Sequence, residues 1–226
     1  MKINLKEILI KPENIKYKNN IFLVYGNEET LIKKIETNLI KVLKKSGFNE
    51  KIYSKNKDIL ENFEEEIPTS LFSTSRILIY NNPKEVSIPA LEKLNFEDTA
   101  VIIIHTSLKS SSKLKISFDS HKHFLSIGCY KINKELKKGI IDSFLTSNKI
   151  DLKADAYWHL VDNSSDIFGL LENDLKKIID FNKVQISLKE IRLILSIYEN
   201  KEGIEDLFLS NLSSKNIINK SQKLIN

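Results

Sequence analysis

Short apolar runs that alternate with helical patterns fill the first part of the chain, and they constrain the fold more than any other feature. Runs such as Ile21–Tyr25 and Ala100–His105 are almost continuously apolar, without polar side chains at every second position. Strands of this kind are buried on both faces, as in a parallel sheet sandwiched by helices. Apolar residues then recur at three- and four-residue spacing from Leu31 to Leu43, which predicts a helix that stops at Gly47. The predicted strands are Ile21–Tyr25, Lys51–Ser54, Arg76–Tyr80, Ala100–His105 and Phe124–Cys129.

Strand signals end near Tyr130, and the rest of the chain shows helical patterns. Three apolar stripes are followed by Ser187–Glu190, a capping box that opens a fourth helix. We therefore predict an α/β domain at 1–131, a small all-helical domain at 132–198, and an incomplete further domain or a tail at 199–226. The three stripes are Leu136–Leu145, Ala156–Val161 and Ile167–Ile179.

The formal net charge of +5 is compatible with a nucleic-acid partner, because lysines bind phosphates without regard to base sequence. Only Arg76 and Arg192 are arginines, whereas lysine, isoleucine and asparagine abound. Codons of an AT-rich genome favour these three residues, so base composition alone could produce the positive charge. A basic DNA-binding module of a mobile element or a defence system stays open as an alternative function.

Cys129 is the single cysteine, which excludes an internal disulfide and a cysteine-based zinc cluster. It lies in the apolar run 124–130, where we expect a buried and inert thiol. No apolar stretch reaches the roughly 18 residues that a membrane span needs, and Met1–Glu7 does not resemble a secretory signal. We expect a soluble, cytoplasmic protein.

The turn Gly26–Glu29, between the first strand and the first long helix, stands where a phosphate-binding loop would lie. Such a loop needs several glycines, whose backbone amides wrap the phosphates, and then a lysine and a serine or threonine. Here a single glycine is followed by Asn27, Glu28 and Glu29. The two carboxylates would repel phosphate but suit the positive N-terminus of a helix. We predict an acid-capped structural turn that does not bind ATP; an ATPase with an unconventional nucleotide site is the second alternative.

Groups suited to catalysis or metal binding are sparse in the sequence. Two apolar strands are followed by Asn81–Pro83 and Thr106–Ser107, so neither ends in the acid that holds magnesium in a P-loop ATPase. Among the four histidines, His121 and His123 flank Lys122, whose charge would oppose a bound cation. We predict no catalytic residue, no metal and no cofactor.

Two large apolar residues, Leu71 and Phe72, stand among small hydroxyl residues after the acidic stretch Glu64–Glu66. The neighbouring sequence offers little apolar surface that could bury them. The residues alone support two interpretations equally: anchors tucked into the core, or an exposed plug, Ser70–Phe72, that inserts into a partner.

Four segments between residues 20 and 196 agree in order and spacing with the pattern of one known family. They are Phe22–Ile32, Ser70–Ser73 with Arg76–Tyr80, Ser112–Phe118, and Leu170–Ile178 with Ile186–Ile191. Together they resemble the delta subunit of the bacterial DNA polymerase III clamp loader, a degenerate relative of the AAA+ ATPases. The first segment has the form of an ATP site without its lysine.

The resemblance implies an AAA+-like parallel sheet sandwiched by helices, followed by a helical lid at 132–198 and the start of a collar at 199–226. It implies that Ser70, Leu71 and Phe72 bind the sliding clamp, and that the subunit opens one clamp interface or holds it open. The turn at Gly26, Asn27, Glu28 and Glu29 would then be a degenerate nucleotide loop, and neighbouring subunits would hydrolyse ATP.

The implied partners are the beta sliding clamp, the ATPase and delta-prime subunits of the loader and, less directly, primer–template DNA. The parent holoenzyme is a DNA-directed DNA polymerase, whereas this subunit is an accessory without catalysis of its own. In this family a helical collar joins the subunits into a ring, but the sequence stops soon after that collar begins. We therefore expect an isolated monomer that associates weakly with the ATPase subunits.

Overall fold

The computed structural model describes residues 5–10, 12, 20–54, 58–59, 75–95, 97–109, 111–181 and 184–195. Its centre is a five-stranded sheet in which every neighbouring pair of strands is parallel. The strands are β1 (Ile21–Gly26), β2 (Glu50–Tyr53), β3 (Arg76–Asn81), β4 (Thr99–His105) and β5 (Phe124–Cys129). Their order across the sheet is β2-β3-β4-β1-β5. All five predicted strands are confirmed, with ends that differ by no more than one residue.

Burial on both faces explains why the strands are continuously apolar. β1 lies between β4 and β5, and all six of its residues are buried. Val24 pairs with Ile104 of β4 and with Ile127 of β5. Because parallel strands end at the same edge of a sheet, the turn after β1 lies beside the ends of β4 and β5.

Helices cover both faces of this sheet. They are α1 (Leu5–Ile10), α2 (Glu29–Lys45), α3 (Ile88–Glu92) and α4 (Lys113–Ser120). Leu91 of α3 and Phe118 of α4 belong to the same core cluster as Leu23 and Tyr25 of β1. Since side chains alternate along a strand, the other residues of β1 face the opposite side, where α2 contacts β1, β4 and β5.

Three of these helices, α1, α3 and α4, are absent from the sequence-based prediction because they are short. α3 has five residues, with Pro89 in its first turn and the Ser87 hydroxyl accepting a hydrogen bond from Ala90 N at 3.3 Å. α4 has eight residues, and its Ile116 side chain is 55% exposed, so its apolar periodicity is weak. None of the helices in the described part of the chain is long and apolar enough to cross a membrane.

The chain divides into two compact units, residues 1–140 with 166–169 and residues 141–165 with 170–226. The second unit is built from helices at the positions that the apolar stripes and the capping box predict. They are the end of α5 (Lys134–Asn148), α6 (Ala154–Asn163), most of α7 (Phe168–Asp180), and a helical stretch at 188–195. The predicted domain limits at 131 and 198 stay predictions, and 199–226 lies outside the described residues.

The second unit also contains a small ladder that the sequence analysis missed. β6 (Asp151–Leu152) and β7 (Gln185–Ile186) pair in parallel, and two residues are too few to give a recognisable pattern. The capping box that follows β7 is confirmed. Ser187 N donates to Glu190 Oε2 at 2.8 Å, and Glu190 N donates to Ser187 Oγ at 3.4 Å.

Asp174 of α7 is a buried carboxylate, since it is 1% exposed, and among the described residues its side chain accepts a 3.3 Å hydrogen bond from Lys177. Burial raises the pKa of Asp174, and Lys177 opposes this rise. A raised folded-state pKa means that the ionised carboxylate disfavours folding, fully so at pH values above that pKa.

Asp174→Asn should therefore raise the melting temperature by a few degrees at pH 7. The gain should shrink as the pH falls through the folded-state pKa and vanish below about 3.9, the pKa of an unfolded aspartate. Thermal melts at several pH values test this; a lower melting temperature at pH 7 would contradict it.

Candidate functional site

The turn that follows β1 is closed by the end of β5. The amides of Asn27 and Glu28 both donate to the carbonyl oxygen of Cys129, at 3.1 and 3.2 Å. Gly26 has a φ of 148°, and a Cβ atom there would lie 1.8 Å from the same carbonyl oxygen. The sequence therefore needs glycine at this position for the chain to pass so close to β5.

Glu28 caps α2 with its own side chain, as the sequence predicts. Its Oε2 accepts from Leu31 N at 2.7 Å, and its Oε1 accepts from Thr30 N at 3.3 Å. The side chain is largely withdrawn from solvent, because the residue is 7% exposed. Glu29, the first residue of α2, is exposed and places a second carboxylate on the first helical turn.

The amides at this turn are therefore already occupied by acceptors of the protein itself. A phosphate-binding turn presents free backbone N–H groups and the positive end of a helix dipole to the anion. Here the Cys129 carbonyl takes the amides of Asn27 and Glu28, and the Glu28 carboxylate takes those of Thr30 and Leu31, so four of the amides around the turn have acceptors. A phosphate would have to displace a buried carboxylate that carries the same sign of charge.

Thr30 links the cap to residues 166–169, which belong to the same compact unit. Its hydroxyl donates to Glu28 Oε1 at 2.6 Å and accepts from Gly169 N at 2.8 Å. A Cβ atom on Gly169 would lie 2.7 Å from the Thr30 methyl group, so the backbone of Gly169 lies close against the Thr30 side chain. The sequence analysis did not identify Thr30 or Gly169, because a contact between positions so far apart leaves no local pattern.

Residues 166–169 have two further attachments in this unit. Asp166 Oδ1 accepts from the ammonium group of Lys137 at 2.8 Å, and Lys137 is 5% exposed. The backbone carbonyl of Asp166 accepts from Ile132 N at 2.9 Å. The segment that covers the turn is therefore fixed by side-chain and backbone bonds together.

Removing the Glu28 cap should destabilise the protein measurably. Glu28→Ala loses the acceptor for two amides and one hydroxyl, and losing a helix cap costs about 0.5 to 2 kcal/mol. Glu28→Gln keeps one oxygen acceptor of the same shape and should lose less than half as much. Urea unfolding of both variants measures the free energies; equal stability of Glu28→Ala and the unchanged protein would contradict this function of the side chain.

The ends of β3 and β4 carry amide, hydroxyl and imidazole groups. Asn82 Oδ1 accepts from the amide and the hydroxyl of Thr106, at 2.9 and 3.2 Å. His105, the last residue of β4, has a buried Nδ1 that makes no hydrogen bond with the residues that the structure describes. Burial lowers the pKa of His105, so this ring is neutral near pH 7. The residues at these two strand ends, Asn81, Asn82, His105 and Thr106, include no carboxylate.

His121 and His123 are used in local contacts at the end of α4. The ring of His121 stacks on Phe124, with centroids 3.8 Å apart, and its Nε2 lies 2.9 Å from Glu92 Oε1. His123 N donates to Nδ1 of His121 at 3.1 Å, which assigns the ring proton to Nε2 in the neutral form. Among the residues that the structure describes, no group of three His, Cys, Asp or Glu side chains could hold a metal ion.

Cys129 is the buried thiol that the sequence predicts. Burial raises the pKa of Cys129 to about 12, and the negative charge of Glu28 adds to the rise. A thiol with such a pKa is protonated at neutral pH and therefore a poor nucleophile. Its backbone carbonyl, and not its sulfur, takes part in the turn.

The predicted clamp-contacting residues Ser70, Leu71 and Phe72 lie outside the described residues. Both interpretations of this segment therefore stay open at the level of geometry. The structure brings together the other candidate residues, Gly26 to Glu29, in the single turn described above.

Comparison with known proteins finds a similar family for the sheet domain. A family model described as "DNA polymerase III, delta subunit" matches residues 22–127. Over these residues the chain is similar to the DNA polymerase III delta-subunit family. The delta-subunit match begins in β1 and ends in β5, so it contains the turn and its Glu28 cap. No curated protein sequence matches the chain.

Solved structures support the delta-subunit assignment at the level of the fold. The chain is similar to the DNA clamp loader delta protein YqeN of Bacillus subtilis, with a TM-score of 0.57 and 14% sequence identity. That match covers 95% of this chain and 74% of YqeN. The fold is AAA+-like: a five-stranded parallel sheet flanked by helices, followed by a helical unit.

Two further structures from Thermotoga maritima match at lower TM-scores. The RuvB Holliday-junction branch migration motor has 12% identity and a TM-score of 0.44, over 79% of this chain and 61% of RuvB. Domain III of the replication initiation protein DnaA has 13% identity and a TM-score of 0.45, over 84% of this chain and 89% of that domain.

Proposed function

We propose that this chain is a clamp-loader delta subunit that binds the sliding clamp and opens its interface, or holds it open, without hydrolysing ATP. The observation that carries the proposal is the buried Glu28 carboxylate at the N-terminus of α2. The sheet domain retains the strand, turn and helix of a nucleotide site, but its own carboxylate fills the position of the anion. In this proposal the domain has therefore kept the architecture of an ATPase and lost the ability to bind and hydrolyse ATP.

The residues after Gly26 support this interpretation. A P-loop has the pattern G-x-x-x-x-G-K-[ST], in which the lysine reaches the terminal phosphates. Counted from Gly26, Leu31 stands at the second glycine and Ile32 at the lysine. Both side chains are buried in the core, at 0% and 4% exposure. The chain therefore offers neither the lysine nor the flexible turn that phosphoryl transfer requires.

In this proposal, the energy of clamp opening comes from binding, and ATP is hydrolysed by neighbouring loader subunits. Leu71 and Phe72 are the proposed anchors, since large apolar side chains seated in a partner's pocket dominate many interfaces. The proposed partners are the beta clamp, the ATPase and delta-prime subunits, and primer–template DNA. The chain is a cytoplasmic accessory of the replicative polymerase and not an enzyme by itself.

Purified components test the proposal directly. The chain is mixed with the sliding clamp, with and without ATP, and complex formation is measured by analytical ultracentrifugation. We expect the same affinity in both conditions and no binding of a fluorescent ATP analogue at micromolar concentrations. Micromolar binding of the analogue, or a clamp complex that forms only with ATP, would favour an ATPase with an unconventional site.

A further inference from the structure

The exposed face of α2 carries a row of lysines. Lys33, Lys41, Lys44 and Lys45 are all exposed, while the opposite face of the same helix is buried in the sheet domain. We call these four residues the α2 lysine stripe. α2 has 17 residues, and its buried side packs against three strands, so the helix is a rigid support for the stripe.

Helical geometry places most of the stripe along one line. At about 100° per residue, Lys33, Lys41 and Lys44 fall within an arc of about 80°. The 11 steps from Lys33 to Lys44 span roughly 16 Å along the helix axis, at about 1.5 Å per residue. Lys45 extends the stripe at its C-terminal end.

The lysines of the α2 lysine stripe differ from lysines on other helices, because they form no ion pair with the described residues. On α4 Lys115 pairs with Asp119 at 2.7 Å, and on α7 Lys176 pairs with Glu172 at 3.1 Å. Within the described part of the chain, none of the four stripe lysines has an ion-pair partner. The acids nearest Lys33 on α2 are Glu29 and Glu36, and Glu36 accepts a 2.8 Å hydrogen bond from the Tyr53 hydroxyl. The positive charge of the stripe is therefore not neutralised by an ion pair with any residue that the structure describes.

The helix itself explains only part of this arrangement. Lysines in the last turn of a helix stabilise its negative end, which accounts for Lys44 and Lys45. Lys33 and Lys41 lie in earlier turns, where the dipole offers them no such advantage. Codon bias can supply lysines, but on α2 it leaves the four exposed lysines of the stripe against only two acids, Glu29 and Glu36.

We propose that the α2 lysine stripe binds the phosphate backbone of double-stranded DNA. DNA carries one negative charge per about 1.7 Å of helix axis, so a row of about 16 Å is long enough for each lysine to meet a phosphate. Lysines on a rigid helix make contacts that position the duplex without reading its sequence. The surface consists of α2 residues alone. The inference deepens the proposed function by naming a surface for its DNA partner, and it does not depend on the proposed clamp contact.

The test compares two variants that remove the same charge. In the stripe variant Lys33, Lys41, Lys44 and Lys45 are replaced by Gln; in the control variant Lys84, Lys122, Lys153 and Lys189 are replaced by Gln, all of them exposed and on separate segments. Each replacement removes one positive charge, so both variants fall from +5 to +1. Affinity for a short mixed-sequence DNA duplex is measured by fluorescence anisotropy at salt concentrations between about 50 and 200 mM.

Each phosphate contact contributes about 0.9 to the slope of log affinity against log salt. We expect the slope of the stripe variant to be shallower than that of the unchanged chain by about 3 to 4, and that of the control by less than about 1. With four such contacts, the affinity of the unchanged chain for DNA should fall by about 100-fold as the salt concentration rises across this range. The stripe variant should lack this part of the salt dependence. Clamp binding should be the same for all three proteins.

A pair variant, Lys33→Gln with Lys41→Gln, keeps the cationic last turn of α2 and should lower the slope by about 2 if the full stripe variant fails to fold. The proposal is wrong if the unchanged chain does not bind the duplex, or if the stripe and control variants lose equal slope. It is also wrong if the stripe variant loses clamp binding and keeps DNA binding, because the stripe would then contact a protein.

Discussion

Replacing Gly26 with Ala is expected to destabilise the protein by about 2 to 6 kcal/mol, a large effect for a single methyl group. The added Cβ would lie 1.8 Å from the Cys129 carbonyl oxygen. Because this oxygen belongs to the backbone, no side-chain rotation can relieve the clash. Forcing the carbonyl away strains the turn by about 1 to 3 kcal/mol and weakens the bonds from Asn27 N and Glu28 N, at about 0.5 to 1.5 kcal/mol each. For a chain of this size the melting temperature should fall by about 10 °C.

Gly47→Ala is the matched control for this prediction. Gly47 also has a positive φ, of 102°, but a Cβ there would meet no atom within 4 Å. That variant should cost about 1 kcal/mol from backbone conformation alone. Thermal and urea unfolding of the two variants separate the steric clash at Gly26 from the cost of placing alanine at a positive φ. Equal destabilisation by both variants would show that the close approach of β5 to the turn does not cause the stability loss of Gly26→Ala.

The sheet was predictable from the sequence because its signal is local. Continuously apolar runs such as Val101–Ile104 specify strands buried on both faces, and the strand ends follow to within a residue. The two acids after Gly26 specify a helix start for the same reason, since a cap acts within three residues. Patterns that repeat within one element therefore determine most of this fold.

The connections around the turn were not predictable, because they join distant parts of the chain. Nothing near Thr30 indicates that its hydroxyl accepts a hydrogen bond from Gly169 N. Nor does the sequence around Lys137 reveal that this buried lysine pairs with Asp166. Such contacts depend on tertiary packing, and the short elements α3, β6 and β7 are too brief to show a periodicity of their own.

Replacing both Leu71 and Phe72 with Ala is expected to weaken binding to the sliding clamp by roughly thirty to several thousand fold. Full burial of each side chain contributes about 1.5 to 3 kcal/mol, so losing most of both contacts costs about 2 to 5 kcal/mol. Each 1.4 kcal/mol corresponds to a tenfold change in affinity. The reason for the prediction is the isolation of these two residues among hydroxyl and acidic neighbours.

An exposed apolar residue elsewhere gives the control for this pair. Ile116 of α4 is 55% exposed, and Ile116→Ala removes exposed apolar surface from the sheet domain, about as much as one of the two replacements. We expect that variant to bind the clamp as the unchanged chain does. A comparable loss from Ile116→Ala would mean that clamp binding depends on general surface hydrophobicity and not on the proposed anchors.

Clamp affinity and thermal unfolding, measured on the same preparation of the Leu71→Ala, Phe72→Ala double variant, test the account most directly. If the two residues are clamp anchors, binding is lost and the melting temperature is unchanged. If they are instead anchors of the core, truncation costs folding stability and the melting temperature drops by several degrees. Lost binding with unchanged melting is the result that we predict; lost stability, or clamp binding that survives the double replacement, would contradict the proposed clamp contact.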